Sequence, residues 1–237
     1  MQMAREWPGR ERREPRLSSP TWAVRAPLAR WLQEQATVMG PAGGYRVLDV
    51  GCGPKPYYPF FAGRATEYVG VDIVEHPAAD LVGRVEDLPV EDASFDVVLC
   101  SQVLEHCDDP AQGVRELRRV VKPGGRVLLS THGVQVYHPA PHDLWRWTHE
   151  GLERLFLTNG TWASVSVRPA AGTATTLAIL LSIYVDLGSR RAHVAPLGRT
   201  LVRALHSVGR AIDRRAAILR EPGPGTLHAN YHVTAVA

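Results

Sequence analysis

The chain of 237 residues has only three cysteines, Cys52, Cys100 and Cys107, and their spacing matches no metal-binding motif. An odd number of thiols without a disulfide framework is typical of a reducing compartment, so we expect a cytoplasmic protein. The N-terminus carries charged residues but lacks the apolar stretch of a signal peptide, and no internal repeat is apparent. Hydrophobic residues make up 45% of the chain, which excludes a wholly disordered protein and suffices for the core of one large domain.

Acidic residues are scarce near the C-terminus, where eight arginines accompany the single acid Asp213 between residues 190 and 220. Apolar residues recur there every three to four positions and predict an amphipathic helix over 196–220. They are Leu197, Leu201, Leu205, Val208, Ile212 and Leu219. Such a helix can lie on an anionic membrane or grip an acidic substrate, but we expect it to pack on its own domain with its arginines in solvent. Because the region has no aromatic residues to stack on bases, we expect no nucleic-acid binding.

The preceding segment, 169–185, carries no charge but is too short to predict a membrane span. A spanning helix needs about twenty predominantly apolar residues, and this segment begins with Pro-Ala-Ala-Gly-Thr. We expect a helix in the core or in a homodimer interface.

The chain does contain a glycine-rich turn directly after the short apolar strand Val47–Val50. Gly51 and Gly53 tolerate positive φ and let backbone N–H groups approach a ligand, while Asp49 supplies an acceptor. About twenty residues later, the strand Glu67–Asp72 ends in a second carboxylate, placed to accept both hydroxyls of a ribose. The two motifs together predict a nucleoside-binding site on a parallel sheet.

A dinucleotide site is the competing interpretation of this turn, and the spacing argues against it. The dinucleotide fingerprint needs a third glycine three residues after the second, where this chain has Pro56. The carboxylate of Asp49 would repel a pyrophosphate but attract a sulfonium or ammonium group. The turn therefore favours a cationic nucleoside ligand.

Strands and helices alternate from residue 45 onward, which indicates βαβ units and a parallel sheet. We predict strands at 46–50, 67–72, 80–84, 95–101, 126–131, 162–167 and 228–236. Helices are predicted at 21–38, 56–62, 111–121 and 148–157, the last with Thr148 as its N-cap. We divide the chain into a flexible N-terminal arm over 1–20 and one domain over 21–237. This domain has a core at 45–168, a helical insertion at 169–226 and a last strand at 227–237.

In order and spacing, the motifs resemble the class I S-adenosylmethionine-dependent methyltransferases, in the small-molecule branch called methyltransferase type 11. The resemblance covers about residues 45–168, and the turn departs from the family where Pro54-Lys55-Pro56-Tyr57 follows Gly53. The motifs are Val47–Gly53, Val69–Asp72, Glu86–Pro89, Ser94–Val98, Val103–His106 and Leu117–Gly125. The resemblance implies a Rossmann-like, seven-stranded, mostly parallel sheet with an antiparallel C-terminal strand, in three α/β/α layers. It also implies S-adenosyl-L-methionine as the cofactor and S-adenosyl-L-homocysteine as its product.

The resemblance implies twelve cofactor-site residues. The first turn would hold the methionine end, Asp72 the ribose hydroxyls and Asp87 the adenine amino group, although Asp87 could instead cap the chain before Leu88. Residues at the end of the fourth strand would close the site, where ligands collect in open α/β sheets. The set is Asp49, Gly51, Cys52, Gly53, Asp72, Ile73, Asp87, Leu88, Ser101, Gln102, Val103 and His106.

A hydroxyl acceptor of a methyl group benefits from a general base, and histidine is the natural candidate. The loop over 132–148 is dense in His, Pro and Trp, and its stretch Tyr137–Thr148 resembles a His-Asp-Tyr-Trp-Arg-Tyr-Thr run of methyltransferases in sugar and polysaccharide pathways. We predict His142 as the base, Asp143 as its acceptor-site partner and His138 as the next candidate. The spacing of these three residues matches no metal signature, so no metal is expected.

These observations predict O-methylation of a small hydroxylated acceptor, such as a sugar, saccharide or natural product. Methylation at carbon or nitrogen of a lipid-like or quinone-type acceptor is an alternative. A cofactor-binding module without catalysis, acting through its basic helix, is another. Peripheral membrane contact through 196–220 and homodimer formation stay open.

Overall fold

The computed structural model describes residues 7–38, 44–139 and 141–237. Their strands form one sheet in the order β3-β2-β1-β4-β5-β7-β6. The strands are β1 (Tyr45–Val50), β2 (Ala65–Asp72), β3 (Leu81–Val82), β4 (Phe95–Ser101), β5 (Val121–His132), β6 (Ser164–Pro169) and β7 (Asn230–Val236). All neighbours are parallel except β7, which pairs antiparallel with both β5 and β6. The predicted mostly parallel, seven-stranded sheet with an antiparallel C-terminal strand is confirmed.

Helices flank the sheet, and two of them begin at side-chain caps. The helices are α1 (Arg10–Arg13), α2 (Trp22–Val38), α3 (Tyr58–Phe61), α4 (Pro110–Val120), α5 (His149–Thr158), α6 (Thr173–Arg191) and α7 (Ala195–Arg215). Asp109 caps α4 by accepting a hydrogen bond from the N–H of Gln112 at 3.0 Å. Thr148 caps α5 in the same way at 3.1 Å from the N–H of Gly151, which confirms its predicted role.

The core lies on both faces of the sheet because the central strands are apolar throughout. Leu48, Val98 and Leu129 belong to the cluster that also contains residues of α4 and α5. Val47 and Leu128 belong to the cluster on the other face, with α2 and α3. A strand covered on both faces reads as a continuous hydrophobic run, which is why β1 and β4 were predicted closely.

One predicted strand is longer than the observed one, and another is displaced by two residues along the chain. β3 has two residues instead of the five predicted over 80–84, because the chain turns after it and Arg84 pairs with Asp87 in an isolated bridge. β6 begins at Ser164 rather than at Trp162. The indole N–H of Trp162 donates to the carbonyl of Phe156 at 3.0 Å, which turns this residue back onto α5.

Residues 7–20, part of the predicted flexible arm, have a defined place against the first turn. The indole N–H of Trp7 donates to the carbonyl of Lys55 at 2.8 Å, and the buried guanidinium of Arg13 donates to the carbonyl of Pro56 at 2.5 Å. The arginine-rich sequence predicts an arm exposed to solvent, but Trp7 and Arg13 donate hydrogen bonds to backbone carbonyls of the turn. Residues 1–6 lie outside the described part of the chain.

The insertion forms the two helices α6 and α7, and the packing face of α7 differs from the one predicted. Gly198, Val202 and Gly209 are on the buried side, while the leucine stripe faces outward, with Leu197 66% and Leu201 50% exposed. A Cβ on Gly209 would lie 2.9 Å from the carbonyl oxygen of Ala174, so small residues permit a close approach of the two helices. The expectation that α7 packs through its leucines is therefore wrong. In the described residues, no helix has the length and apolarity that crossing a membrane requires.

Candidate active site

The first turn needs glycine at Gly51 for two reasons. Its φ is +66°, a left-handed conformation, and a Cβ there would lie 2.2 Å from Cγ2 of Val103. The N–H groups of Gly51 and Cys52 both donate to the carbonyl of Val71, at 2.9 and 3.1 Å. These two hydrogen bonds hold the turn after β1 against β2. The turn also lies close to Val103, which comes shortly after β4.

Two carboxylates flank this turn. Asp72, at the end of β2, accepts a hydrogen bond from the N–H of Gly53 at 2.8 Å. Asp49 lies below the turn, 2% exposed, and accepts from the hydroxyl of Tyr68 at 2.6 Å. Burial raises the pKa of Asp49 to about 7, although the Tyr68 hydrogen bond and the charge of Lys55 oppose this rise. A cationic ligand near Asp49 would favour its ionised form.

A cavity of about 220 Å³ opens beside the turn, and we call it the turn cavity. It is lined by Val50, Gly51, Asp72, Ile73, Gly83, Arg84, Val85, Glu86, Gln102, Val103, His106, Cys107 and Pro141. Six predicted cofactor residues are among them: Gly51, Asp72, Ile73, Gln102, Val103 and His106. A glycine that leaves room for the ligand, and a carboxylate able to accept from two hydroxyls, fit the nucleoside end of S-adenosylmethionine.

Six predicted cofactor residues do not line this cavity: Asp49, Cys52, Gly53, Asp87, Leu88 and Ser101. Leu88 is buried in the core, and its N–H donates to the carboxylate of Glu116 at 2.9 Å, while Asp87 is exposed. The cavity wall beyond β3 is formed instead by residues 83–86, which the sequence reasoning missed. Their position directly after β3, at the carboxyl end of the sheet, was the available signal.

Gln102 separates the turn cavity from a second one. Its φ is +59°, an uncommon conformation for a residue other than glycine. Its backbone N–H donates to the carbonyl of Ser130 at 2.8 Å. Its side-chain amide donates to the hydroxyl of Ser130 at 2.9 Å and to the amide oxygen of Asn230 at 3.1 Å. Gln102 is thus held by β5 and β7 at the end of β4.

The second cavity, of about 250 Å³, contains three histidines, and we call it the histidine cavity. It is lined by Arg12, Thr21, Val24, Arg25, Leu28, Tyr57, Gln102, His106, His132, Gln135, Val136, His138 and Ile183. Gln102 and His106 line both cavities. The ring of His138 lies 5.8 Å from that of His106 and 6.0 Å from that of His132, between ring centroids.

The tautomer of His106 follows from its contact with the loop. Its Nδ1 lies within hydrogen-bond distance of the backbone carbonyl of His142. Because a carbonyl oxygen can only accept, Nδ1 carries the proton and Nε2 of the neutral ring keeps its lone pair. Burial lowers the pKa of His106, which favours this neutral form. His106 therefore has an unprotonated nitrogen at the boundary of the two cavities.

His132 lies deeper and is held near a buried carboxyl group. Its Nε2 is 3.5 Å from Oε1 of Glu105, and burial lowers the pKa of His132 to about 3. Burial also raises the pKa of Glu105 to about 7, although its carboxylate accepts a hydrogen bond from the hydroxyl of Thr131 at 2.9 Å. The histidine cavity is therefore bordered by a neutral imidazole, and burial disfavours ionisation of the carboxyl group beside it.

Of the three predicted catalytic residues, only His138 has its side chain in the histidine cavity. His142 is exposed and contributes its backbone carbonyl. Asp143 accepts from the N–H of His138 at 2.8 Å and pairs with Arg146 at 2.5 Å, and the Arg146 hydrogen bond lowers its pKa to about 2. Asp143 thus shapes the loop, which explains why its neighbour His142 turns outward.

Within the described residues, one group of side chains has a geometry that could hold a metal ion: Cys52, Asp72 and His76. Burial raises the pKa of Cys52 to about 12, so this thiol is protonated when no metal ion is bound. Asp72 is also the carboxylate that faces the turn cavity. The group does not overlap with His138, His142 and Asp143.

Comparison with known sequences matches the sheet region to one family. Residues 48–129 match the model of a methyltransferase domain. Ubiquinone biosynthesis O-methyltransferase of Acinetobacter baumannii (strain AYE) is 38% identical over 119 residues, which cover 43% of this chain and 48% of that protein. The protein of the same name from Pseudomonas aeruginosa (strain LESB58) is 36% identical over 118 residues, with the same coverage. The chain spans about half the length of the curated relatives it matches.

Solved structures resemble the whole chain in fold. The cyclase SpnF aligns with a TM-score of 0.55 and 18% identity, covering 88% of this chain and 80% of its own. Phosphoethanolamine N-methyltransferase 2 of Haemonchus contortus, in complex with S-adenosylmethionine, aligns at 0.54 and 18%, covering 91% and 55%. At these identities the likeness shows the fold alone. Since a cyclase and a methyltransferase share it, the reaction has to be argued from the site.

Proposed function

We propose that the chain, whose residues 48–129 match a methyltransferase domain, uses S-adenosylmethionine to methylate a hydroxyl group of a small acceptor bound in the histidine cavity. The observation that carries this proposal is the shared wall of the two cavities, Gln102 and His106. S-adenosylmethionine, when bound, supplies an electrophilic methyl group and leaves as S-adenosylhomocysteine. The protein's main task is then to hold the two reactants next to each other.

In this proposal the turn cavity binds the cofactor. Asp72 accepts from the ribose hydroxyls, and the space left by Gly51 admits the ligand next to Val103. Asp49 supplies a carboxylate below the turn, whose ionised form a cationic ligand favours. The predicted residues Cys52, Gly53, Asp87, Leu88 and Ser101, which do not line this cavity, act through the shape of the turn or not at all.

We propose His106 as the general base in place of His142. The carbonyl of His142 holds the Nδ1–H of His106, so Nε2 can accept the proton of the acceptor hydroxyl. The lowered pKa of His106 keeps the ring unprotonated at neutral pH. His138, in the same cavity, is the second candidate because the two rings are neighbours.

The relatives named ubiquinone biosynthesis O-methyltransferases support oxygen as the methylated atom. They also support a phenolic, quinone-type acceptor beside the sugar expected from the loop. The histidine cavity suits a ring with hydroxyls, since Val24, Leu28, Val136 and Ile183 add apolar walls to its polar groups. A small hydroxylated ring is therefore the proposed acceptor.

The test is release of S-adenosylhomocysteine from purified protein with S-adenosylmethionine and a panel of catechols, phenols and sugars. His106→Ala should lower turnover by roughly 10² or more with cofactor affinity intact. His142→Ala is the matched control: because only its backbone carbonyl takes part, it should keep turnover within about threefold. Equal losses in both variants would remove His106 as the base. No product with any acceptor would contradict the proposed function itself.

A further inference from the structure

We propose that the acceptor is an anion, and that its negatively charged group is bound by Arg12 and Arg25 in the histidine cavity. This inference rests on the proposed function, because it takes the histidine cavity as the acceptor site. It names the chemical class of acceptor: a hydroxylated ring that also carries a phosphate or a carboxylate group.

The lining of the histidine cavity is unbalanced in charge. Two arginines and three histidines face it, and its thirteen lining residues include no aspartate or glutamate. Two arginines near this part of the structure are paired with acids: Arg146 with Asp143, and Arg190 with Asp186. Neither Arg12 nor Arg25 has an ion-pair partner among the residues that the structure describes. The cavity therefore presents two arginines without an ion pair to whatever fills it, and the charge of Arg12 also acts on the buried Asp49.

The position of Arg25 favours the binding of one anionic group over a general attraction of anions to the surface. Arg25 projects from α2, is half-buried and sits among the apolar walls formed by Val24 and Leu28. A partly desolvated guanidinium is costly without a partner, and its planar fork matches the oxygens of a carboxylate or phosphate. Both arginines also act electrostatically on Tyr57 in the same lining, lowering its pKa against the effect of burial.

The neighbours of the cavity give the acceptor an orientation. The histidine cavity meets the turn cavity at Gln102 and His106, where the hydroxyl must react. It meets a third, open cavity of about 690 Å³ at Arg25. That third cavity is lined by five arginines and three acids, of which Glu14 and Asp186 are paired with Arg10 and Arg190 and Glu11 is exposed. The reacting hydroxyl thus belongs at His106 and the anionic group at Arg25.

The experiment compares acceptors that differ only in the anionic group. The pairs are D-glucose 6-phosphate with D-glucose, and 3,4-dihydroxybenzoate with 3,4-dihydroxybenzamide. Binding is measured by calorimetry in the presence of S-adenosylhomocysteine, so that no turnover is needed, and turnover is measured separately. We expect the anionic member of at least one pair to bind about tenfold or more tightly than its neutral partner, as loss of a charge-assisted hydrogen bond predicts. The two pairs distinguish a phosphate from a carboxylate.

Variants assign the effect to the two arginines. Arg25→Gln, and the double variant Arg12→Gln/Arg25→Gln, should reduce the preference for the anionic member to within about threefold. Arg30→Gln is the matched control, because Arg30 is exposed on the same helix α2 and lines none of the three cavities. Circular dichroism and thermal unfolding confirm that the variants are folded.

The outcomes separate this inference from the proposed function. Turnover with neutral acceptors that bind as well as their anionic partners would overturn the inference and leave the proposed function standing. If an anionic acceptor binds in an arginine-dependent way but the separate turnover assay releases no S-adenosylhomocysteine, the result would support the anion site and contradict the proposed function. A preference for the anion that survives in the double variant, or no binding by any member, would also overturn the inference.

Discussion

Glu105 is a buried carboxyl group whose titration should make the free energy of unfolding depend on pH. It is fully buried beneath the histidine cavity, and its desolvation raises its pKa from 4.5 to about 7. Between about pH 4.5 and pH 7 the unfolded chain loses this proton while the folded chain keeps it. The free energy of unfolding therefore falls as pH rises through this window.

The substitution Glu105→Gln removes the titration while keeping the shape of the side chain. One pKa unit corresponds to about 1.4 kcal/mol, so the shift of Glu105 amounts to about 3 kcal/mol. Below pH 4.5 both proteins carry a neutral side chain and should have similar stabilities. Above pH 7 the variant should be more stable than the wild type by about 3 kcal/mol, since glutamine can still accept from the hydroxyl of Thr131.

The assay is urea unfolding of both proteins at one-unit steps from pH 4.5 to pH 8, without cofactor. The quantity of interest is the difference between their free energies of unfolding, in which the titrations of His132 and Asp49 largely cancel. Glu116→Gln is a control of opposite sign, because hydrogen bonds from Arg119 lower the pKa of Glu116. That variant should be less stable than the wild type by a similar amount across the whole range, because the lowered pKa of Glu116 confines the loss of its contribution to pH values below 4.5. A difference for Glu105→Gln that does not change with pH would refute the reasoning.

Two further predictions concern the first turn. Gly51→Ala should destabilise the protein by about 2–4 kcal/mol in chemical unfolding, because the new Cβ meets Val103 in addition to requiring positive φ. Gly53→Ala should cost only about 1–2 kcal/mol, since positive φ is its sole penalty and no atom lies within 4 Å of the added Cβ; equal costs would show that Val103 is not the obstacle. Affinity for S-adenosylmethionine should rise up to about tenfold per pH unit below pH 7 as Asp49 ionises, and then level off. Calorimetry at pH 6 and pH 8 measures this, Asp49→Asn should abolish the dependence, and a dependence that persists in the variant would place its origin elsewhere.

The sheet and the turn could be predicted from the sequence because their determinants are local. An apolar run such as Val47–Val50 is buried on both faces, and the glycines that follow it permit the positive φ that the turn requires. Gln102, Val103 and His106 follow β4 directly, and the carboxyl ends of parallel strands meet at one edge of the sheet. Strand order and spacing therefore place these residues without knowledge of the loops.

The predictions that failed depend on contacts between distant segments. The family resemblance implied that Leu88 would reach the cavity, but its N–H donates a hydrogen bond to Glu116, 28 residues away, and its side chain lies in the core. His142 was the first choice as base because of its loop, yet the Asp143–Arg146 pair turns the loop so that only the backbone carbonyl of His142 reaches His106. The leucine stripe of α7 faces outward because Gly209 packs more closely than leucine allows. The periodicity of the sequence gives no information about contacts between segments that are far apart in the chain.

The two cavities are built from different segments of the chain, which explains why the family match says little about the acceptor. The family match covers residues 48–129, which contain every described residue of the turn cavity except Pro141. Only three residues of the histidine cavity, Tyr57, Gln102 and His106, fall inside that range. The others come from the N-terminal segment, the end of β5, the loop after β5 and α6, and they include both arginines proposed to bind an anion. Acceptor specificity should therefore change more than cofactor affinity when residues 21–28 are exchanged between relatives, because this segment lines the histidine cavity and not the turn cavity.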